Sequence, residues 1–110
     1  MSFAFFQQRA SQLKTLMTDK FGDHLIDVDI LSMTPDEQDR VPQMIKAMKY
    51  PPIVAIILIQ TKSNYEAVYD DGIARKYHEY RYYLFSDGHG NGFLPSDYDI
   101  TIQEWLASSP

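Results

Sequence analysis

The sequence predicts an α+β fold: one mixed four-stranded sheet with helices packed on it, in the order α-β-α-β-β-β-α. Three observations predict it. Apolar residues recur with helical period near the N-terminus and again around residues 41–48. Ile53 to Gln60 is a β-rich run, apolar on both faces. Arg75 to Phe85 concentrates tyrosine in an alternating pattern. At 110 residues the protein is read as a single domain, 1–110, with one modest core.

Phe3 to Lys20 predicts the first helix. Phe6, Ala10, Leu13 and Met17 form its apolar stripe, with Arg9 and Lys14 off it, and Gly22 supplies a left-handed cap. His24 to Leu31 alternates, Ile26, Val28 and Ile30 against Asp27 and Asp29, as in a strand with one buried face. The two aspartates are edge-guarding acids before they are metal ligands, since no third ligand is local. Thr34-Pro35-Asp36-Glu37 starts the second helix with a capping box, and Val41, Met44, Ile45 and Met48 give its apolar face. Pro42 allows a kink, or a turn at 34–40 followed by a helix starting at Pro42.

Strand, helix, strand implies a right-handed parallel crossover from 25–31 to 53–60. Thr61-Lys62-Ser63-Asn64 reads as a turn and Tyr65 to Tyr69 as a hairpin return strand, broken at Asp70-Asp71-Gly72. Arg75 to Phe85 aligns as a helix through Ile73, Tyr77, Tyr80 and Leu84, but its aromatic density favours a strand. As a strand it places His78, Tyr80, Tyr82 and Leu84 on one face and Tyr77, Glu79, Arg81, Tyr83 and Phe85 on the other. Ser86 to Pro95 is a glycine-rich loop. A closing helix follows, with a capping box from Thr101 to Glu104 and a hydrophobic staple from Ile100 to Trp105, so Trp105 is structural.

Composition narrows the function. The protein has no cysteine, which removes disulfides, thiolate metal sites and cysteine nucleophiles and suits a reducing compartment. No leader pattern or membrane span is evident, so a cytoplasmic protein without a membrane partner is expected. A net charge of −5 argues against general affinity for a phosphate backbone.

Three short resemblances follow from particular residues. The middle of the sequence, strand, helix, Pro51-Pro52, strand and hairpin strand, resembles a thioredoxin-type core lacking its first strand. With no Cys-x-x-Cys, the resemblance implies topology without redox activity. Asp87 to Tyr98 resembles an EF-hand calcium loop through Asp87, Asn91, Gly92 and Leu94. It departs at His89, and at Tyr98, where a bidentate glutamate is required. Gln60-Thr61-Lys62 resembles the Glu/Gln-x-Lys signature of restriction-endonuclease-like nucleases, whose site also needs an aspartate from a neighbouring strand. No metal or other cofactor is expected.

Arg75, Tyr77, His78, Tyr80, Arg81, Tyr82 and Tyr83 mix cations with rings, the composition of a contact surface. Asp87, His89 and Asn91 are candidates in the adjacent loop. No nucleophile with its base is complete, so the first expectation is a non-enzymatic binding or adaptor protein. Its partner is a protein or a second copy in a homodimer. A small metal-dependent hydrolase centred on His89 and Asp87 is the first alternative, and a single-stranded nucleic-acid-binding module the second.

Overall fold

An apolar, mostly β-branched run on both faces calls for a strand covered on both sides, and β2 (Ile53–Val68) holds it between two neighbouring strands, with a packed core on each face. The computed structural model describes residues 1–68, 72 and 74–108, the side chains of 64–68, 74 and 75 excepted. The other elements are α1 (Phe3–Gln7), α2 (Ala10–Phe21), a 3₁₀ turn (Gly22–His24), β1 (Leu25–Ser32), α3 (Pro35–Arg40), α4 (Gln43–Lys46), β3 (Ala74–Phe85), β4 (Gly90–Gly92) and α5 (Ser96–Ala107). The fold is α+β, with one four-stranded sheet in the order β1-β2-β3-β4.

Every neighbouring pair in that sheet is antiparallel, so the expected parallel crossover is not formed. β1 pairs with β2 from Leu25 opposite Thr61 to Ser32 opposite Ala55. The connecting segment explains this. It breaks at Val41-Pro42 into helices of 6 and 4 residues, with Pro42 as the cap of the second. β1 advances about 26 Å, whereas α3 returns only about 9 Å, so the backbone re-enters the sheet near the end it left. The thioredoxin-type topology is not confirmed.

The polar Thr61-Lys62-Ser63-Asn64 segment is not a turn. β2 continues through it to Val68, which pairs with Ala74. Thr61 is buried and lies between Leu25 and His78 across the sheet, so the polar run is the outer half of one long strand. The register shifts between Lys62 and Ala67, where the β2 backbone takes a bulge against Tyr77 to Arg75. Tyr69, Asp70, Asp71 and Ile73 lie outside the described residues.

The fourth strand comes from the glycine-rich loop. Gly90, Asn91 and Gly92 pair with Leu84, Tyr83 and Tyr82. Absent side chains make this possible. A Cβ on Gly92 would stand 2.6 Å from the Arg81 carbonyl oxygen and 2.9 Å from Tyr82 Cα. The turn before it closes by hydrogen bonds from Phe85 N–H to the His89 carbonyl (2.8 Å) and from Gly88 N–H to the Phe85 carbonyl (3.0 Å). Gly88 adopts φ 89°, a conformation open mainly to glycine.

Helices cover both faces, unequally. α1, α2 and α5 bury Phe6, Leu13, Met17, Ile102 and Trp105 against Val28, Ile30, Ile57, Ile59, Tyr82 and Leu84. On the opposite face α4 and its approach bury Val41 and Ile45 against Ile56, Tyr83 and Phe85. Ile26 does not join Val28 and Ile30. The register shifts between Leu25 and Asp27, leaving Ile26 exposed while Leu25 packs in its stead.

The helix expected over 3–20 is two helices. Arg9 interrupts it with φ −102° and ψ 7°. The Arg9 guanidinium lies 4.8 Å over the Trp105 ring and donates to the Trp105 carbonyl, the Ser108 carbonyl (3.0 Å) and Ser108 Oγ (3.0 Å). Trp105 Nε1–H donates back to the Arg9 carbonyl at 3.2 Å. A cation thereby meets the carbonyl-rich end of α5. The closing helix begins at Ser96 rather than at Thr101, whose hydroxyl donates to the Asp97 carbonyl at 2.8 Å from inside the helix. Ile100 is exposed and staples nothing, while Trp105 is buried, as expected.

Candidate functional site

The helical cover stops partway along the β2–β3 hairpin. The buried positions run out at Ile59 and Thr61 on β2 and at Tyr82 on β3. Where the cover ends, a cleft of about 420 Å³ opens between the hairpin, the end of α2 and the start of α5. The hairpin supplies Thr61, Lys62, Ser63, His78 and Tyr80. Phe21 and His24 come from the α2 end and the 3₁₀ turn, and Pro95, Asp97 and Tyr98 from the start of α5.

Each element places its residue for a local reason. Gly22 takes φ 54° and turns the backbone out of α2, which leaves Phe21 and His24 on the cleft. Alternation along β3 puts His78 and Tyr80 on the same face as Tyr82 and Leu84, but beyond the helices. Pro95 ends the β4 segment and α5 begins at once, so its first turn carries Asp97 and Tyr98 to the rim.

Four rings run in series through this site. Phe21 and Tyr98 stand 4.2 Å apart, Tyr98 and Tyr80 6.2 Å, and Tyr80 and His78 6.1 Å. These are separations at which aromatic rings attract. Tyr98 is only 6% exposed, and its hydroxyl is enclosed with no hydrogen-bond partner among the described residues. Burial, then the neighbouring Tyr80 and Asp97, hold its phenol above the usual range, so it remains a donor. Lys62 and His24 are exposed at the mouth, and Asp97 is the acid there. The N-terminus of α5 has no side-chain cap. The cleft therefore offers stacking surface and N–H and O–H donors, with a single carboxylate among them.

Of the contact residues read from the sequence, His78 and Tyr80 reach this cleft. Tyr77 is half-buried on the opposite face of β3, across from Lys62. Tyr82 and Tyr83 are corrected out of the surface, being 0% and 2% exposed in the two cores. Arg81 is engaged within the protein, Nε to Glu37 Oε2 at 3.0 Å and Nη1 to Glu79 at 3.5 Å, which ties α3 to the sheet. The side chain of Arg75 lies outside those described. Tyrosine density marks a strand but not which stretch of it a helix covers.

The loop candidates form a turn of their own. Asp87 Oδ1 accepts the His89 N–H at 2.9 Å and Oδ2 meets His89 Nδ1 at 3.0 Å. These side-chain and backbone bonds hold the Asp87 carboxyl below its usual range. The His89 side chain is 83% exposed, and neither residue lines the cleft. Asn91 Oδ1 accepts the Gly92 N–H at 2.7 Å. His78 lies within β3 and His89 in the turn beyond its far end, about 20 Å apart by strand rise. Asp87 and His89 are thus brought together, while His78 is not joined to them and Tyr98 lies apart on the cleft. Asp27 does lie opposite Gln60, whose amide donates to Glu79 at 3.3 Å, but among the described residues no three ligating side chains converge.

Sequence reasoning misses Phe21, His24, Lys62, Asp97 and Tyr98 as members of one site. It puts Tyr98 at the failed closing position of a calcium loop, and His24 at the start of a strand. No local signal joins residues so far apart in the sequence. Comparison with family models, with curated proteins and with solved structures finds no match to this protein.

Proposed function

We propose that this is a binding protein that takes a protein partner against the cleft side of the β2–β3 hairpin. The observation that carries this reading is the ring series Phe21, Tyr98, Tyr80 and His78 along an open cleft with Lys62 at its mouth. Rings of low rotameric entropy beside a few cations are what protein contacts concentrate. The net charge of −5 favours a protein over a nucleic-acid strand as occupant. The lack of cysteine supports the cytoplasm as its compartment.

The partner is another protein or a second copy of this one, and one pair of variants tests both. His78→Ala with Tyr80→Ala removes two half-buried rings from the cleft and leaves Tyr82 and Leu84 in the core. The double variant should lose a partner that wild type retains, or should sediment as a monomer where wild type sediments as a dimer. Its far-ultraviolet dichroism should match wild type. A folded double variant that binds and sediments as wild type does would contradict the reading.

A further inference from the structure

We infer that the group received by this cleft is a carboxylate, presented by the partner as an acidic side chain or as its C-terminus, beside an apolar group. The inference rests on the reading of the cleft as a protein contact and specifies what that contact recognises.

One donor at this cleft has no acceptor among the described residues. Tyr98 lines the cleft, is 6% exposed, and its enclosed hydroxyl has no hydrogen-bond partner among the described residues. Buried hydroxyls without partners are rare because each forfeits its hydration. The hydroxyl is closed to water as it stands, and an acceptor oxygen that reaches it from the cleft would complete it. The second observation is independent. α5 is a 12-residue helix that starts at this rim, and its N-terminus has no side-chain cap. Free N–H groups and the positive end of the helix dipole favour an anion there. Lys62 adds a full positive charge, and His24 and His78 add ring N–H donors.

Two carboxylates in the first turn of α5, Asp97 and Asp99, oppose an anion. Asp97 stands on the same rim. Their repulsion scales with the charge of the incoming group, so a dianionic phosphate is penalised about twice as much as a carboxylate. Phe21 and Tyr80 meanwhile give an apolar neighbour of that carboxylate somewhere to lie. A singly charged oxyanion beside an apolar group satisfies all of these features together.

The test uses three small probes on the 110-residue protein, followed by proton–nitrogen correlation spectra. N-acetyl-phenylalanine carries a terminal carboxylate. N-acetyl-aspartyl-phenylalanine amide carries one on a side chain, and N-acetyl-phenylalanine amide carries none. At least one acid should shift the amides of Thr61 to Ser63 and Asp97 to Asp99 along a saturable curve, about tenfold more tightly than the neutral amide. The acid that binds identifies the source of the carboxylate. Tyr98→Phe removes a hydroxyl that no described residue uses, so it should keep the fold and lose about tenfold of the acid's affinity. Equal binding of the acids and the neutral amide would overturn the inference, as would undiminished acid binding by Tyr98→Phe. If no probe gives a saturable shift, the carboxylate inference falls, while the His78 and Tyr80 variants still decide the protein contact separately.

Discussion

Tyr82 shows what a single side group does here. Its ring is wholly buried and its hydroxyl accepts a hydrogen bond from Gln103 Nε2. Burial, and then the charge of Asp99, push its phenol up to about 12. An unfolded tyrosine ionises near pH 10, so the folded protein holds this proton more tightly than the unfolded one. The corresponding stability is fully present below pH 10 and is lost as pH rises towards about 12, amounting to about 3 kcal/mol. Urea unfolding at pH 8 and pH 11.5 should therefore show a steep alkaline loss in wild type. Tyr82→Phe should start about 1 kcal/mol lower, through the lost hydrogen bond, and fall less with pH. Identical pH slopes would contradict the assignment. At this scale the sequence is half legible. The alternation of β3 correctly sets Tyr82 with His78, Tyr80 and Leu84, because a strand's period is two. That Tyr82 lies under α5 while His78 lies beyond it is not legible, since cover is decided by residues distant in the sequence.

The elements most clearly marked in the sequence are those with a strong local signal. Thr34 Oγ1 accepts the Glu37 N–H at 3.2 Å, as the capping sequence predicts. β2 is legible from its apolar faces, and β3 from its tyrosines. The elements that escape are governed by distant contacts. Arg9 divides the first helix to reach the end of α5. β4 is hidden because glycine signals a loop, yet these glycines form a strand by lying directly on the Tyr82 backbone and ring. Gly92→Ala puts a methyl against backbone atoms that cannot retreat, and should cost about 1–3 kcal/mol in chemical denaturation. Asn91→Ala, at the neighbouring half-buried position, should cost less. A Gly92→Ala protein as stable as wild type would mean that β4 does not pack as described.

For the whole molecule, the α+β class follows from the sequence; the count of four strands agrees only because the expected break at 61–64 is absent while Gly90–Gly92 adds a strand, and the direction of the strands is not legible. Handedness and crossover rules apply only when one helix takes the backbone back across the sheet. The break at Pro42 shortens that path, and the sheet becomes antiparallel throughout. Antiparallel pairing extends β2 and β3 as a hairpin past the helices, and this overhang creates the cleft. A site built from the ends of several elements carries no local sequence signature. A competing surface exists at the other end of the sheet, where exposed Met44, Met48 and Phe93 accompany β4. Amide hydrogen exchange of the 110-residue protein, alone and with its bound partner, decides between them. Slowed exchange should centre on residues 61–63, 76–80 and 96–99. Slowed exchange confined to residues 44–48 and 86–93 would contradict the assignment of the cleft.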